Sequence, residues 1–315
     1  MSGPTLLIGG MGFIGLHTAR RFLDAGQHVV LTYNPNRREP DFLRDDLGKR
    51  ASVEHMDVLD AGEVADVIKR HQPEGVVYLA VPALSGVSPA DEFQTNTAGY
   101  LNVLEASRAA DVRRVSVTSS VAIYSNVEQR PWREDVTYGS ASTNPTEAYK
   151  KALEVLGLFF GQRTGIDVIM LRAAGIFGPC YHSMANLPSR LCHAAANKKS
   201  PDFAGMRYGP PKADDGGDMC YVKDCALGIQ QLHSAPSLQH KIYNVGSGYV
   251  TRNRQLVEHI QKVAPDFQAE LPAGGNAEGR YLDLTRTSAE VGYKPEYGVA
   301  NGVADYVDWL RGHAT

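Results

Sequence analysis

Apolar and polar positions follow two rhythms along the first half of the chain. Short apolar runs occur at Thr5-Leu6-Leu7-Ile8, 28–33, 52–56, Gly75-Val76-Val77-Tyr78-Leu79-Ala80, 114–118 and 167–171. They are too short for helices and read as strands buried on both faces. Longer segments with helical punctuation lie between them: 13–25, closed by Gly26 just past the helix end, then 60–70, 91–110 and 146–164. Strand and helix signals in alternation predict a doubly wound parallel α/β sheet of Rossmann type, with helices on both faces. After residue 177 the rhythm breaks. Pro179, Pro188, Pro201, Pro210 and Pro211 interrupt it, and Lys212-Ala213-Asp214-Asp215-Gly216-Gly217 reads as an exposed loop. Helices are expected again near 254–263 and 301–311. The predicted organisation is a sheet domain over 1–176 and a smaller C-terminal α/β lobe over 177–315, with segments near 219–248 returning to the first domain.

Composition narrows the class. The 315 residues carry 32 Lys plus Arg against 35 Asp plus Glu, a net charge of −3, and 43% are apolar. Such a chain can bury a sizeable core, which excludes a disordered or fibrous protein. The near-neutral balance gives no electrostatic reason to expect a nucleic acid or an anionic membrane as partner. Cys180, Cys192, Cys220 and Cys225 form no C-x-x-C pair, which fits reduced thiols. The N-terminus lacks a basic signal-peptide region and no run approaches the ~18 apolar residues of a membrane span. A soluble cytoplasmic protein is expected.

Gly9, Gly12 and Gly15 lie between the first strand and the first helix with the spacing G-x-x-G-x-x-G. Glycine there lets backbone amides approach a pyrophosphate, and the helix start at Phe13 and Ile14 adds its N–H groups and positive dipole end. A lone glycine motif is weak, but here it has the required strand before it and helix after it. The end of the second strand bears on the cofactor. An acidic residue there would bind both ribose hydroxyls and repel a 2′-phosphate. The position falls instead on Tyr33 and Asn34, with Arg37 and Arg38 following, a pattern that favours NADP over NAD unless both arginines only solvate a loop.

With these pieces in place the sequence resembles the epimerase/dehydratase branch of the extended short-chain dehydrogenase/reductase family, over nearly its whole length. Besides Gly9 to Gly15, Asp57-Val58 matches the pair that holds adenine. Leu79-Ala80-Val81 matches the fourth-strand segment that flanks the cofactor, with Thr118 on the next strand. Ser119-Ser120-Val121-Ala122-Ile123-Tyr124 resembles the active-site segment, with Ser120 in the catalytic position. Tyr221-Val222-Lys223-Asp224, Tyr243-Asn244-Val245-Gly246-Ser247-Gly248 and Gly292-Tyr293-Lys294-Pro295 are similar to further signatures. The resemblance implies a cofactor domain followed by a substrate-binding lobe, a small-molecule substrate, and a homodimer formed by a four-helix bundle. The two long helices carry an apolar stripe, Leu153, Leu156 and Phe160, which would either face a second copy or face its own sheet.

The resemblance fails at one place. In the family a tyrosine and a lysine one helical turn apart exchange the proton, the lysine ammonium lowering the phenol from about 10 and holding the cofactor ribose. Aligned on Ala152-Leu153-Glu154, Lys150 takes the lysine role and Thr146 stands where the tyrosine belongs. Tyr149 is close, but adjacent helical residues point about 100° apart. Either the helix start is shifted by Pro145 and brings Tyr149 in, or another group supplies the proton: Cys180, Tyr181, His182, or a water held by Ser120. Val121-Ala122 replaces the Asp-Glu pair of family dehydratases, which argues against dehydration. Gly217-Asp218 replaces an Arg-Asp pair common in nucleotide-sugar enzymes, leaving Arg280 to meet an anionic substrate or to form a solvated salt bridge. No H-E-x-x-H or clustered histidine spacing occurs, so no metal is expected.

The resulting expectation is an NAD(P)-dependent enzyme, an epimerase or a carbonyl reductase, acting by hydride transfer on a sugar-like or other hydroxy/keto substrate. The competing expectation is a non-catalytic NAD(P)-binding regulator or scaffold that kept the cradle and lost the acid.

Overall fold

The computed structural model describes residues 3–38, 40–81, 87–181, 183–206 and 209–313. The chain divides into two compact units. The first comprises Met1–Asn126, Thr137–Arg172 and Ala226–Tyr243; the second comprises Val127–Val136, Ala173–Cys225 and Asn244–Thr315. No composition shift marks the excursion over 127–136.

In chain order the elements begin β1 (Thr5–Ile8), α1 (Phe13–Asp24), β2 (Val29–Tyr33), β3 (Ala51–His55), α2 (Ala61–His71), β4 (Gly75–Tyr78), α3 (Pro89–Ala109), β5 (Arg114–Ser120), α4 (Pro145–Thr164) and β6 (Asp167–Ala173). They continue β7 (Gly175–Phe177), α5 (Leu187–Ala196), β8 (Gly216–Gly217), β9 (Met219–Tyr221), α6 (Val222–Ser234), β10 (Ile242–Val245), β11 (Thr251–Arg252), α7 (Asn253–Val263), α8 (Thr285–Val291) and α9 (Gly298–Gly312). The elements of the first half fall within a few residues of the sequence expectation. Helices α5, α6 and α8 had not been anticipated.

A seven-stranded sheet in the order β3-β2-β1-β4-β5-β6-β10 forms the frame. Its pairs β1–β2, β1–β4, β2–β3 and β4–β5 are parallel, which gives the Rossmann-like α/β fold. Strand order reverses between β1 and β4, the place where open α/β sheets leave a crevice beyond the strand C-termini. Leu6, Val30, Val76, Val115 and Met170 are buried in its core with Tyr78, Val103 and Leu153.

Local chemistry sets the helix ends that matter. Asn144 caps α4, its side chain accepting from the Glu147 amide at 3.0 Å, and Pro145 occupies the first turn, where no amide is needed. The helix is regular from there. Gly165 closes it at φ +84°, a conformation that favours glycine. At the N-terminal end of β5 Arg114 is buried. Its guanidinium bonds Asp167 at 2.6 Å and the carbonyls of Leu232, His233 and Ala235, which pins the 226–243 segment to the first unit.

The apolar stripe of α4 differs from the expectation. Leu153 is buried in the core of its own unit and Phe160 packs against that core, because positions seven apart on a helix share the sheet-facing side. The exposed apolar residues are Leu156 with Val155 and Phe159, joined by Phe93 and Leu101 on α3.

In the second unit β7 pairs with β9 in parallel and β8 with β11 antiparallel, and α5 and α7 pack on α9. Buried Asp218 accepts from the Ser247 amide and hydroxyl and from the amides of Gly248 and Leu282. Asp224 accepts from the amides of Glu296, Tyr297 and Gly298. Burial raises the Asp218 carboxyl, and these bonds oppose the rise.

Candidate functional site

The glycine turn is built from its own backbone outward. The Gly9 amide donates to Thr32 Oγ1 at 3.0 Å, the Met11 amide to the Thr32 carbonyl, and the Gly12 amide back to the Gly9 carbonyl. Gly9 sits at φ +76°, and a Cβ there would lie 3.0 Å from the Ala80 amide nitrogen. At Gly15 a Cβ would meet the Gly10 carbonyl oxygen at 2.5 Å, so α1 can approach the turn only as glycine. Gly12 is different. Its φ of −80° suits any residue, and among the described residues a Cβ would meet only the Gly9 oxygen, at a tight 3.1 Å. Glycine at 12 therefore keeps space open rather than relieving strain. Helix α1 has no acidic residue in its first turn and no side-chain cap, so its dipole end is left for a ligand.

A cleft of about 470 Å³ opens beside this turn, within the first unit. Gly9, Gly12, Asn34, Arg38, Asp57 and Val58 line it, and Leu79, Ala80 and Val81 form the wall after β4. Asp57 is shaped by its own backbone, one oxygen accepting from the Leu59 amide at 2.9 Å. Val58 packs so tightly on α3 that a Cβ at Gly99 would come within 2.7 Å of it. Of the two arginines only Arg38 lines the cleft; Arg37 is exposed and stands outside the lining. Among the described residues, no acidic residue from the stretch after β2 lines the cleft. Open space at Gly12, the uncapped helix start and a cleft lined from both β1 and β4, across the strand-order reversal, fit a dinucleotide. Sequence reasoning had not singled out Thr32 or Gly10, since a donor–acceptor brace across two strands leaves no local signal.

Beside β4, the C-terminal end of β5 carries the second group of candidates. Thr118 is buried, its hydroxyl donating to the Tyr78 carbonyl at 3.0 Å. Ser120 is half-buried and its Oγ accepts from the Ala122 amide at 3.1 Å, which leaves its own proton to donate. Lys150 is 7% exposed and its Nζ donates to the Thr118 carbonyl at 2.6 Å. Burial pushes the Lys150 amine down to about 8, against the opposing field of Glu154. Thr146 lies one turn earlier, exposed in the first turn of α4. Tyr149 is half-exposed with no hydrogen bond among the described residues. Pro145 occupies the first turn of α4, and Tyr149 stands one residue, about 100°, from the Lys150 direction.

Glu154, used for alignment, has a role of its own. Its carboxylate takes a two-point contact from Arg172 at 3.0 and 2.8 Å, a bond from the Ser119 hydroxyl, and one from Tyr138 at 3.2 Å. Arg172 also reaches the Tyr124 hydroxyl at 2.8 Å and lies over both tyrosine rings. Those two phenols are therefore committed, and burial pushes Tyr138 up to about 12. A second buried pair, Glu147 with Lys151 at 2.8 Å, ties α4 to the preceding loop through Thr143 and the carbonyls of Gly139 and Ala141. Neither pair was legible beforehand.

The remaining candidates belong to the second unit. Cys180 is buried, at φ +67°; burial raises the half-buried Tyr181 phenol, while Ser183 opposes the rise. Arg280 is half-buried with no ion pair among the described residues. His182 lies outside the described residues. Among the described residues no cluster of His, Cys, Asp or Glu could hold a metal, and no helix is long and apolar enough to cross a membrane.

Residues 5–246 match the profile of the NAD dependent epimerase/dehydratase family. The chain belongs to that family. A UDP-glucose 4-epimerase of Streptomyces lividans is 27% identical, covering 99% of this chain and 98% of its own length. dTDP-glucose 4,6-dehydratase 1 of Escherichia coli K12 is 24% identical over 96% of this chain and 91% of its own. Among solved structures, the UDP-glucose 4-epimerase of Thermus thermophilus in complex with NAD superimposes with a TM-score of 0.80 at 26% identity, covering 99% and 100% of the two chains.

Proposed function

We propose that the protein is an NAD(P)-dependent epimerase that inverts a carbinol centre of a nucleoside-diphosphate sugar through a transient ketone. The observation that carries this is the buried Lys150 amine held against the Thr118 carbonyl, with Ser120 on the same strand end, beside a cleft shaped for a dinucleotide. When bound, the cofactor would supply a reversible hydride acceptor. Gly9, Gly12 and the α1 start would hold its pyrophosphate, Asp57 and Val58 its adenine, and Lys150 its nicotinamide ribose. Ser120, with its acceptor lone pair occupied by Ala122, would donate to the substrate oxygen. Val121 and Ala122, where family dehydratases carry an acid pair, favour epimerisation over dehydration. A carbonyl reductase would release its cofactor every cycle, whereas an epimerase keeps it. The test is incubation of the purified protein with UDP-glucose and no added cofactor, followed by NMR of the sugar. Formation of the 4-epimer supports the reading. No conversion by a protein shown to carry cofactor overturns it for this substrate and favours the regulator, the reading that Thr146 supports.

Arg38 in the cleft supports NADP over NAD. A charge-assisted hydrogen bond to the 2′-phosphate is worth about 1.5–3 kcal/mol, so Arg38→Ala should weaken NADP⁺ binding roughly tenfold to a hundredfold and leave NAD⁺ unchanged. Equal losses for both cofactors contradict this. The exposed apolar residues on α3 and α4 support a homodimer through those helices, in the cytoplasm expected from the reduced cysteines.

A further inference from the structure

Oxidising a carbinol releases a proton as well as a hydride, and this chain has no phenol where its family keeps one. Thr146, Lys150 and Glu154 succeed one another at four-residue intervals and therefore line one face of α4. The ionisable groups on the elements packed against that face are Glu154 itself, Arg172 on β6, Tyr124 in the turn after β5, Tyr138 before α4, and Tyr100 on α3. Arg172, Ser119 and Tyr138 occupy the Glu154 carboxylate, and Tyr124 is bonded to Arg172. The Tyr100 phenol is driven far above its ordinary range by burial. Glu147 and Lys151, on the neighbouring face, are bonded to each other.

Among the described groups that face this side of α4, Lys150 is what remains. Among the described residues its amine has a single acceptor, the Thr118 carbonyl, although an ammonium offers three donors. No carboxylate is spare to hold its charge, since Glu154 one turn on is engaged elsewhere. Burial without a dedicated counter-ion favours the neutral amine, and brings its titration close to neutral pH.

We infer that Lys150 is the proton acceptor of this active site, taking the substrate's hydroxyl proton through the Thr146 hydroxyl. This rests on the hydride-transfer reading above and adds the group that stands in for the phenol. In the balance of the step, the carbinol C–H pair leaves as hydride to the nicotinamide dinucleotide, the two-electron oxidant of the family. The carbinol O–H bond breaks and its proton passes to Thr146 Oγ. The proton of Thr146 passes to the Lys150 lone pair, forming an N–H bond. The reverse sequence reduces the ketone from its other face. Threonine ends with the proton count it began with and needs no acidity of its own.

The test has two arms. In protein labelled with [ε-¹⁵N]lysine, the Lys150 resonance, assigned by its loss in Lys150→Arg, should titrate with a midpoint near 8, and no higher with NAD⁺ bound. A Lys150 that keeps its proton up to about pH 10, the ordinary lysine range, overturns the inference whatever the substrate. The second arm follows reduction of bound NAD⁺ by UDP-glucose in a single turnover. Thr146→Val should slow it on the order of a hundredfold at unchanged NAD⁺ affinity, and Thr146→Ser should restore most of the rate. Lys150→Arg keeps the charge but cannot give it up, so the inflection near 8 should vanish. An inflection that persists in Lys150→Arg, or a full rate in Thr146→Val, overturns the inference. If the wild type reduces no NAD⁺ with UDP-glucose, the sugar-nucleotide reading fails and the lysine titration alone decides the proton acceptor.

Discussion

His233 gives the first unit a pH dependence that can be worked out in advance. Its ring is buried in the notch left by Gly75, where a Cβ would come within 2.2 Å of Nε2, and it bonds Ser116 Oγ at 2.7 Å. Phe22 meets it edge-on, and Arg113 and Arg114 stand nearby. Burial first, and then the two guanidiniums, push the imidazole from 6.5 down to about 3. The unfolded chain therefore binds more protons than the folded one between those values. The neutral ring's contribution is fully present above pH 6.5 and is lost as pH falls toward about 3. At 1.36 kcal/mol per pH step, lowering the pH from about 7 to about 5 should cost about 2 kcal/mol from this residue alone. Urea unfolding followed by circular dichroism at both pH values measures it. The wild type should lose about 2 kcal/mol more between them than His233→Gln, which stays neutral at both. Equal losses in the two proteins would refute the reasoning, as would an imidazole resonance titrating near its ordinary 6.5.

Three further outcomes are expected. Arg172→Met should destabilise the protein by about 3–5 kcal/mol, because Glu154 is left charged and buried, and Arg172→Met/Glu154→Gln should recover most of that. Thermal melts distinguish this from a loss under about 1 kcal/mol, which would mean the pair is not coupled. Tyr149→Phe should leave turnover unchanged, and a drop on the order of a hundredfold would put its phenol in the proton path after all. Leu156→Glu/Phe159→Glu should convert a dimer to monomers in light scattering without lowering the melting temperature, and an unchanged mass would remove α4 from any dimer interface.

The first unit was largely legible because its strands are continuous apolar runs and its helices end at Gly26 and Gly165, signals local in sequence. The glycine turn was legible for the same reason. What escaped were bonds between residues far apart in the chain. Thr32 braces Gly9 from the next strand, and Arg172 meets Glu154 from β6, so neither leaves a local pattern. The absence of the tyrosine could be read, but its consequence could not. The inference about Lys150 draws on its burial and on the bonds that hold Tyr124 and Tyr138, neither of which leaves a local pattern. Arg37 and Arg38 look equivalent in sequence; the course of the chain after β2 puts only Arg38 at the cleft.

Calorimetric titration of the wild type and Gly12→Val with NADP⁺ and NAD⁺ tests the central claim, that the cleft after β1 and β4 holds a nicotinamide dinucleotide. Gly12 lines that cleft in a backbone conformation open to any residue, so valine asks only for a shift of the Gly9 carbonyl, 3.1 Å from its Cβ, while its side chain fills the pyrophosphate cradle. One molecule bound per wild-type chain is expected, with affinity lost on the order of a hundredfold or more in Gly12→Val at an unchanged melting temperature. Wild-type protein that binds neither dinucleotide, or a Gly12→Val variant that binds as tightly as the wild type, would contradict the account.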